Sequence, residues 1–325
     1  MHYDDDMPDD PVADQLDAGW ERVAEGDLEG ALAAALACLE LAEVPEAHNL
    51  LGYVRAAQGD VDAALRHYRK AIALDEFFTE ALLNAAELHM HPLHQPEEAI
   101  RLIDIAIEHA DSADAKADAI LLKVEALLQG GDHERAAKAL KRLPDGPFEN
   151  PEMDFMIGRA YFEVGDLEAA GGRIQAAARE NPANPEVFYY LGLWLEAQED
   201  RAGATVAFLQ SRDLDGSTPP PPWSTSRPVF ERRLRAAMKR LPAHVSAALE
   251  GALVVVAHLP GREVIAEGVD PRLCALADDV QDGKVGRLFV YQRNCERMGN
   301  SAESIEDTCA EAIEREVNAA LDSGH

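Results

Sequence analysis

The stretch NPEMDFMIGRAYFEVGDLEAAGGRIQAAARENP, residues 150–182, decides the fold. Gly158 and Tyr161 ride on a first helical segment, Gly165-Asp166 interrupts it, Ala170 and Ala177 mark a second, and Pro182 closes the unit. Two amphipathic helices joined by a tight turn make a hairpin that cannot bury its own apolar face. Such a hairpin needs neighbours, and the chain supplies them.

Six alanines open the second helix of successive units: Ala31, Ala64, Ala99, Ala136, Ala170 and Ala204, spaced by 33, 35, 37, 34 and 34 residues. Four to five residues before each comes a turn: Gly26-Asp27, Gly59-Asp60, His94-Gln95, Gly131-Asp132, Gly165-Asp166 and Glu199-Asp200. Seven residues before most turns stands a small residue, Gly19, Gly52, Gly158 or Gly192, whereas Glu87 and Val124 depart from this. Helices crossing within a short hairpin require small side chains at the contact, and the turn requires tolerance of positive φ. The period and pattern resemble the tetratricopeptide repeat, over about two thirds of the chain.

Charge is uneven along the 325 residues. Residues 226–325 hold 13 Lys and Arg against 16 Asp and Glu, a net of −3, while the rest holds 17 against 44, a net of −27. An acidic array repels phosphate backbones, so a nucleic-acid partner is excluded. It reads first as a solvated surface and second as one that would attract a basic partner. The four cysteines, Cys38, Cys274, Cys295 and Cys309, lack CxxC spacing and read as buried free thiols. The opening MHYDDDMPDD has no positive n-region or apolar h-region, and no apolar run approaches a membrane span. No membrane partner and a cytoplasmic location are expected.

Residues 1–11 read as a disordered acidic tail and 12–215 as a six-unit solenoid. HADSADAKAD reads as a long loop between the third and fourth units, and LPDGPFENP as a break after the fourth. Residues 216–228, GSTPPPPWSTSRP, read as a stiff Pro-rich linker whose Trp223 packs against one of the flanking domains. In residues 229–325, a basic helix precedes the strand ALVVVAHL, turn chemistry in DDVQDGKVG and the strand GRLFVYQR. A capped helix follows, with Ile305, Cys309, Ile313, Val317 and Leu321 at spacings of four.

The order LPAHVSAALEGALVVVAHLP, GRLFVYQRNCER, then a capped helix with EREVNAALD resembles the minimal zincin-like metallopeptidases of bacteria. In that family the closing helix carries HExxH, with two His on one helix face holding Zn²⁺ and the Glu polarising a water. Here the motif falls on Arg315-Glu316-Val317-Asn318-Ala319, so Arg315 and Ala319 stand at the ligand positions and only a vestigial Glu316 remains. Losing two ligands removes the affinity, and a guanidinium repels a cation. The resemblance therefore implies a pseudoenzyme without metal or other cofactor, its Glu316 an ion-pair partner of Arg315 or a nearby basic residue. The mainly α fold expected is a tetratricopeptide α-solenoid followed by a small α+β zincin-like domain.

His89, His91 and His94 read as chance neighbours on an exposed turn, and Asp278, Asp279 and Asp282 as a solvated turn without EF-hand spacing. The solenoid groove is the better site. First-helix residues line the concave face in tetratricopeptide arrays, and the register gives Asn49, Tyr53, Asn84, Glu125, Phe155, Arg159, Phe162, Tyr189 and Glu196, with Trp194 adjacent. The later units are aromatic, either as exposed anchors or, for Phe155 and Tyr189, as a seal against the second domain. The function expected is a non-catalytic adaptor that binds a protein or peptide in the groove, the metal-free cleft, or both. The alternatives are a metallopeptidase with non-standard ligands and a regulatory decoy of an active peptidase.

Overall fold

The architecture is that of a computed structural model, which describes residues 10–299 and 301–323. Among these residues lie 17 helices and three strands. The helices pair as hairpins: α1 (Pro11–Ala24) with α2 (Leu28–Leu41), α3 (Pro45–Ala57) with α4 (Val61–Leu74), and α5 (Thr79–Met90) with α6 (Pro96–His109). Then come α7 (Ala113–Gln129) with α8 (His133–Leu140), α9 (Met153–Glu163) with α10 (Leu167–Glu180), and α11 (Pro185–Ala197) with α12 (Arg201–Ser217). The described residues divide into two compact units, one up to Arg173 and one from Ile174 on.

The turn pattern has a common mechanism. Gly26, Gly59, Gly131 and Gly165 have φ between 74° and 88°, and His94 (53°) and Glu199 (64°) take the same left-handed conformation without being glycine. The aspartate next in sequence in five of the six turns then caps the second helix. Asp27, Asp60, Asp132, Asp166 and Asp200 accept the amides of Gly30, Ala63, Arg135, Ala169 and Gly203 at 2.9–3.1 Å. In the third turn Gln95 gives no side-chain cap, and Pro96 opens the helix with no amide left to satisfy.

Helix crossings explain the small residues. A Cβ on Gly52 would lie 2.4 Å from the Tyr68 ring, and one on Gly192 would lie 2.4 Å from the Phe208 ring. Gly52→Ala is expected to destabilise the first unit by about 1–3 kcal/mol, the usual penalty of overpacking. A urea-unfolding midpoint unchanged from the parent would contradict this.

His48 and His67 face each other in the first unit, Nδ1 to Nδ1 at 3.3 Å with rings stacked at 5.5 Å. Burial is the main cause that lowers both pKa values. Lys70 adds to it at His48, and His48, Lys70, Arg55 and Arg66 add to it at His67, while Glu43 opposes it at His48. With folded values below the unfolded one, the unfolded state binds more protons. Stability is therefore whole above the unfolded value of about 6.5 and falls as the pH drops below it. Thermal midpoints measured from about pH 8 to pH 5 are expected to decline, and His67→Gln to reduce that decline. Equal slopes for parent and variant would refute the assignment.

Several sequence expectations change. Residues 1–9 of the expected tail lie outside the described residues. Asp10, however, caps α1 through the amides of Val12 and Ala13, and Pro11 is its first residue. HADSADAKAD is not a long loop: α6 ends at His109 and the 17-residue α7 begins at Ala113, so helix length accounts for the 37-residue interval. Asp114 on α7 then holds the LPDGPFENP connection, accepting the amides of Glu149 and Asn150 at 2.9 Å each.

The second unit carries, after α12, helices α13 (Arg227–Met238) and α14 (Ala243–Ala248), strand β1 (Leu253–Ala257) and α15 (Arg262–Ala266). Strands β2 (Ala275–Gln281) and β3 (Lys284–Tyr291) and helices α16 (Gln292–Met298) and α17 (Ile305–Ser323) complete it. The sheet order is β1-β3-β2, with β1 parallel and β2 antiparallel to β3. DDVQ, which reads as part of a turn, instead ends β2. Asp278 pairs with Arg287 across the hairpin at 2.6 Å, and the turn itself is Asp282-Gly283, both at positive φ. Ile305, Cys309, Ile313 and Val317 of α17 are fully buried against Phe230, Leu234, Leu288 and Val290, as the four-residue spacing predicts. All four cysteines are buried free thiols.

The Pro-rich segment is held along its length. Arg293 of α16 donates to the carbonyls of Asp215, Thr218 and Pro219. The Trp223 indole donates to the Glu296 carbonyl at 2.9 Å, and the Glu296 carboxylate accepts from Ser224 Oγ and the Thr225 amide.

Candidate functional site

In the first unit, the first helices of five successive hairpins line one cavity of about 510 Å³. Helix α1 contributes Trp20, α3 Asn49 and Tyr53, and α5 Glu80, Leu83, Asn84 and Glu87. Helix α7 contributes Asp118, Leu121, Leu122, Val124 and Glu125, and α9 Met156, Arg159, Ala160 and Glu163. The Cβ direction of a helix repeats every three to four residues, so positions 49 and 53, 80, 83, 84 and 87, and 118, 121, 122 and 125 share a face.

Three features give the groove its chemistry. Five carboxylates face one guanidinium, and that guanidinium, Arg159, is itself paired with Glu163 at 3.5 Å. Desolvation is the larger cause that raises the Glu87 pKa, with Glu125 second; at Asp118 it is again desolvation, with Asp114 second. Both side chains remain exposed in the open groove, where an incoming cation can reach them. At the groove's floor Asn84 Nδ2 donates to Asn49 Oδ1 at 2.9 Å, with Asn49 buried. Trp20 and Tyr53 meet edge to face at 5.3 Å, and each keeps more than a third of its surface open (36% and 39%).

Of the residues expected from the register, Asn49, Tyr53, Asn84, Glu125 and Arg159 thus converge. Phe155 is buried, 7% exposed, and is a core residue rather than an exposed anchor. Phe162 does not line the cavity. Tyr189, Trp194 and Glu196 belong to the second unit. There the Tyr189 hydroxyl donates to Asp270 at 3.0 Å and the Arg272 guanidinium lies 4.2 Å above its ring. Register does not single out Trp20, Glu80, Glu87 and Asp118. For Glu87 a signal is present, since it occupies the position where other units carry glycine.

Glu316, expected to pair with Arg315 or a nearby basic residue, is held by a backbone amide, with Arg315 acting on it electrostatically. Its Oε1 accepts the amide of Ala277, the outward-facing donor of edge strand β2, at 3.2 Å. Burial raises its pKa, opposed by that amide and by Arg315. Among the described residues no three His, Cys, Asp or Glu side chains converge as metal ligands, at Arg315 and Ala319 or elsewhere. No described helix is long and apolar enough to cross a membrane.

Stacked helical hairpins with a groove lined by their first helices define a helical-repeat binding protein. Tetratricopeptide repeat models match residues 45–78, 93–150 and 155–215, and the helical solenoid is of the tetratricopeptide type. Among solved structures it is similar to PilF of Pseudomonas aeruginosa, at 18% identity and a TM-score of 0.53, covering 64% of this chain and 93% of that one. It is also similar to PilW, a type IV pilus biogenesis factor, at 16% identity and a TM-score of 0.53, covering 63% and 94%. The Cut9–Hcn1 hetero-tetramer gives 14% and 0.51, covering 64% and 40%. At these identities the likeness is one of fold. No curated protein matches the chain.

Proposed function

We propose that the protein is a non-catalytic adaptor that holds an extended, basic peptide segment of a partner protein in the α1–α9 groove. The observation that carries this is the cavity of about 510 Å³ in which five carboxylates outnumber a single, already paired guanidinium. The Asn49–Asn84 pair offers amide groups to a peptide backbone, and the Trp20–Tyr53 edge offers a face to a cationic side chain. For residues 229–325 the resemblance to zincin-like metallopeptidases supports a pseudoenzyme reading. The Arg315 and Ala319 replacements and the Ala277 bond of Glu316 favour it over a working peptidase.

Selection from a random octapeptide display library tests the adaptor reading. Recovered sequences are expected to be enriched in Lys and Arg and to lose affinity as salt rises. Recovery of no binders, or of binders without basic enrichment, would sink it.

A further inference from the structure

The second unit contains a cavity whose charge runs opposite to that of the chain. It encloses about 390 Å³ and is lined by Arg272, Arg293 and Arg297, by Asp215 and Glu186, and by a wall of Trp223 with neighbouring prolines. Three guanidinia against two carboxylates leave a surplus positive charge, in a protein of net charge −30.

The bonding within the cluster shows where that surplus sits. Arg293, 6% exposed, donates through Nη2 to the carbonyls of residues 215, 218 and 219, and its charge faces no carboxylate of the lining. Arg272 bonds Glu186 at 2.5 Å and leans on Asp215, Nε to Oδ2, at 3.5 Å without completing a hydrogen bond. Arg297 Nη2 reaches Asp215 Oδ1 at 2.5 Å, but its Nη1 is buried with no hydrogen-bond partner. Trp223 is pinned by its N–H on the Glu296 carbonyl, so its ring stays fixed as an apolar wall.

We propose that this cavity binds a monocarboxylate with an apolar substituent: the carboxylate meets Arg297, whose side chain is about a third exposed, and offsets the surplus charge of the lining, and the substituent lies against Trp223, Pro219 and Pro221. A planar carboxylate fits a guanidinium fork, and the volume falls in the range of small-ligand sites. Such a group arrives either as a free organic acid or as the C-terminus of a peptide. The groove of the first unit is not involved, so this site stands or falls independently of the adaptor reading.

Isothermal titration calorimetry on the full chain decides it, with three probes: N-acetylphenylalanine, its primary amide, and a tetrapeptide ending in phenylalanine with a free carboxylate. At least one acid is expected to bind saturably and the amide at least about tenfold more weakly. A tetrapeptide that binds more tightly than the single residue assigns the site to peptide C-termini, and the reverse order assigns it to free acids. Arg297→Gln is expected to weaken the acid about tenfold or more while the thermal midpoint reports whether the variant is folded. Absence of binding by both acids up to about 10 mM, or an amide that binds as well as its acid, overturns the proposal on the unaltered protein. An unchanged affinity in folded Arg297→Gln overturns it as well.

Discussion

Replacing Asp215 with Ala is expected to destabilise the second unit by about 3–5 kcal/mol, the usual result of removing one partner from a buried ion pair. The side chain is 5% exposed and stands between Arg272 and Arg297. Without it Arg272, 14% exposed, and Arg297, 32% exposed, keep only Glu186, at the edge of the cluster, to balance them. A buried charge that has lost its counterpart costs far more than the pair contributed while intact, so the effect exceeds any net worth assigned to the bridge. Hydrogen exchange of the β3 amides is the appropriate measure, because it reports opening of this unit alone. Asp215→Asn keeps the shape and one acceptor and should lose roughly half as much. An exchange rate in Asp215→Ala close to that of the parent would mean that the cluster is held by something else.

The second large effect concerns the groove. Glu87→Lys combined with Glu125→Lys should cut capture of basic library peptides about thirtyfold or more, at about 2–5 kcal/mol for reversed charge pairs. Both positions line the cavity, and Glu125 is a cause of the raised pKa of Glu87, so the two act on one region. The change should also flatten the salt dependence of association, since long-range steering disappears with the charge. Helix content and the thermal midpoint should stay near the parent values, because Glu87 and Glu125 are surface groups rather than core groups. Fluorescence anisotropy with a selected peptide makes the measurement. Retained affinity in the double variant would remove the electrostatic basis of the adaptor reading.

The array was legible because its rule is local. A residue that accepts positive φ, then an N-capping aspartate, then an alanine at a helix crossing recurs at nearly fixed intervals, and each of these acts within a few residues of chain. His94 and Glu199 show how strict the geometry is, for both adopt the left-handed turn despite lacking the residue type that prefers it. The groove was half legible. Asn49, Asn84 and Glu125 follow from helical register, whereas the burial of Phe155 depends on what its helix meets, which register alone does not specify.

The second unit is harder to read because its order rests on partners distant in sequence. The end of strand β2 has the composition of a turn since Asp278 and Asp279 disfavour strands, yet Arg287, nine residues on, neutralises the first of them. The role of Glu316 depends on β2, whose Ala277 amide it accepts, and no local pattern announces that pairing. The tie between Asp215 and Arg297 spans more than eighty residues and leaves no periodic trace.

The four prolines 219–222 govern how the last hairpin is joined to α13. A segment already stiff before docking has little freedom to surrender, so the few bonds from Arg293 and Trp223 are enough to keep it seated. It acts as a splint, not a tether. Lengthening or softening it with glycine and serine would loosen both ends at once, even with every bonded residue left in place.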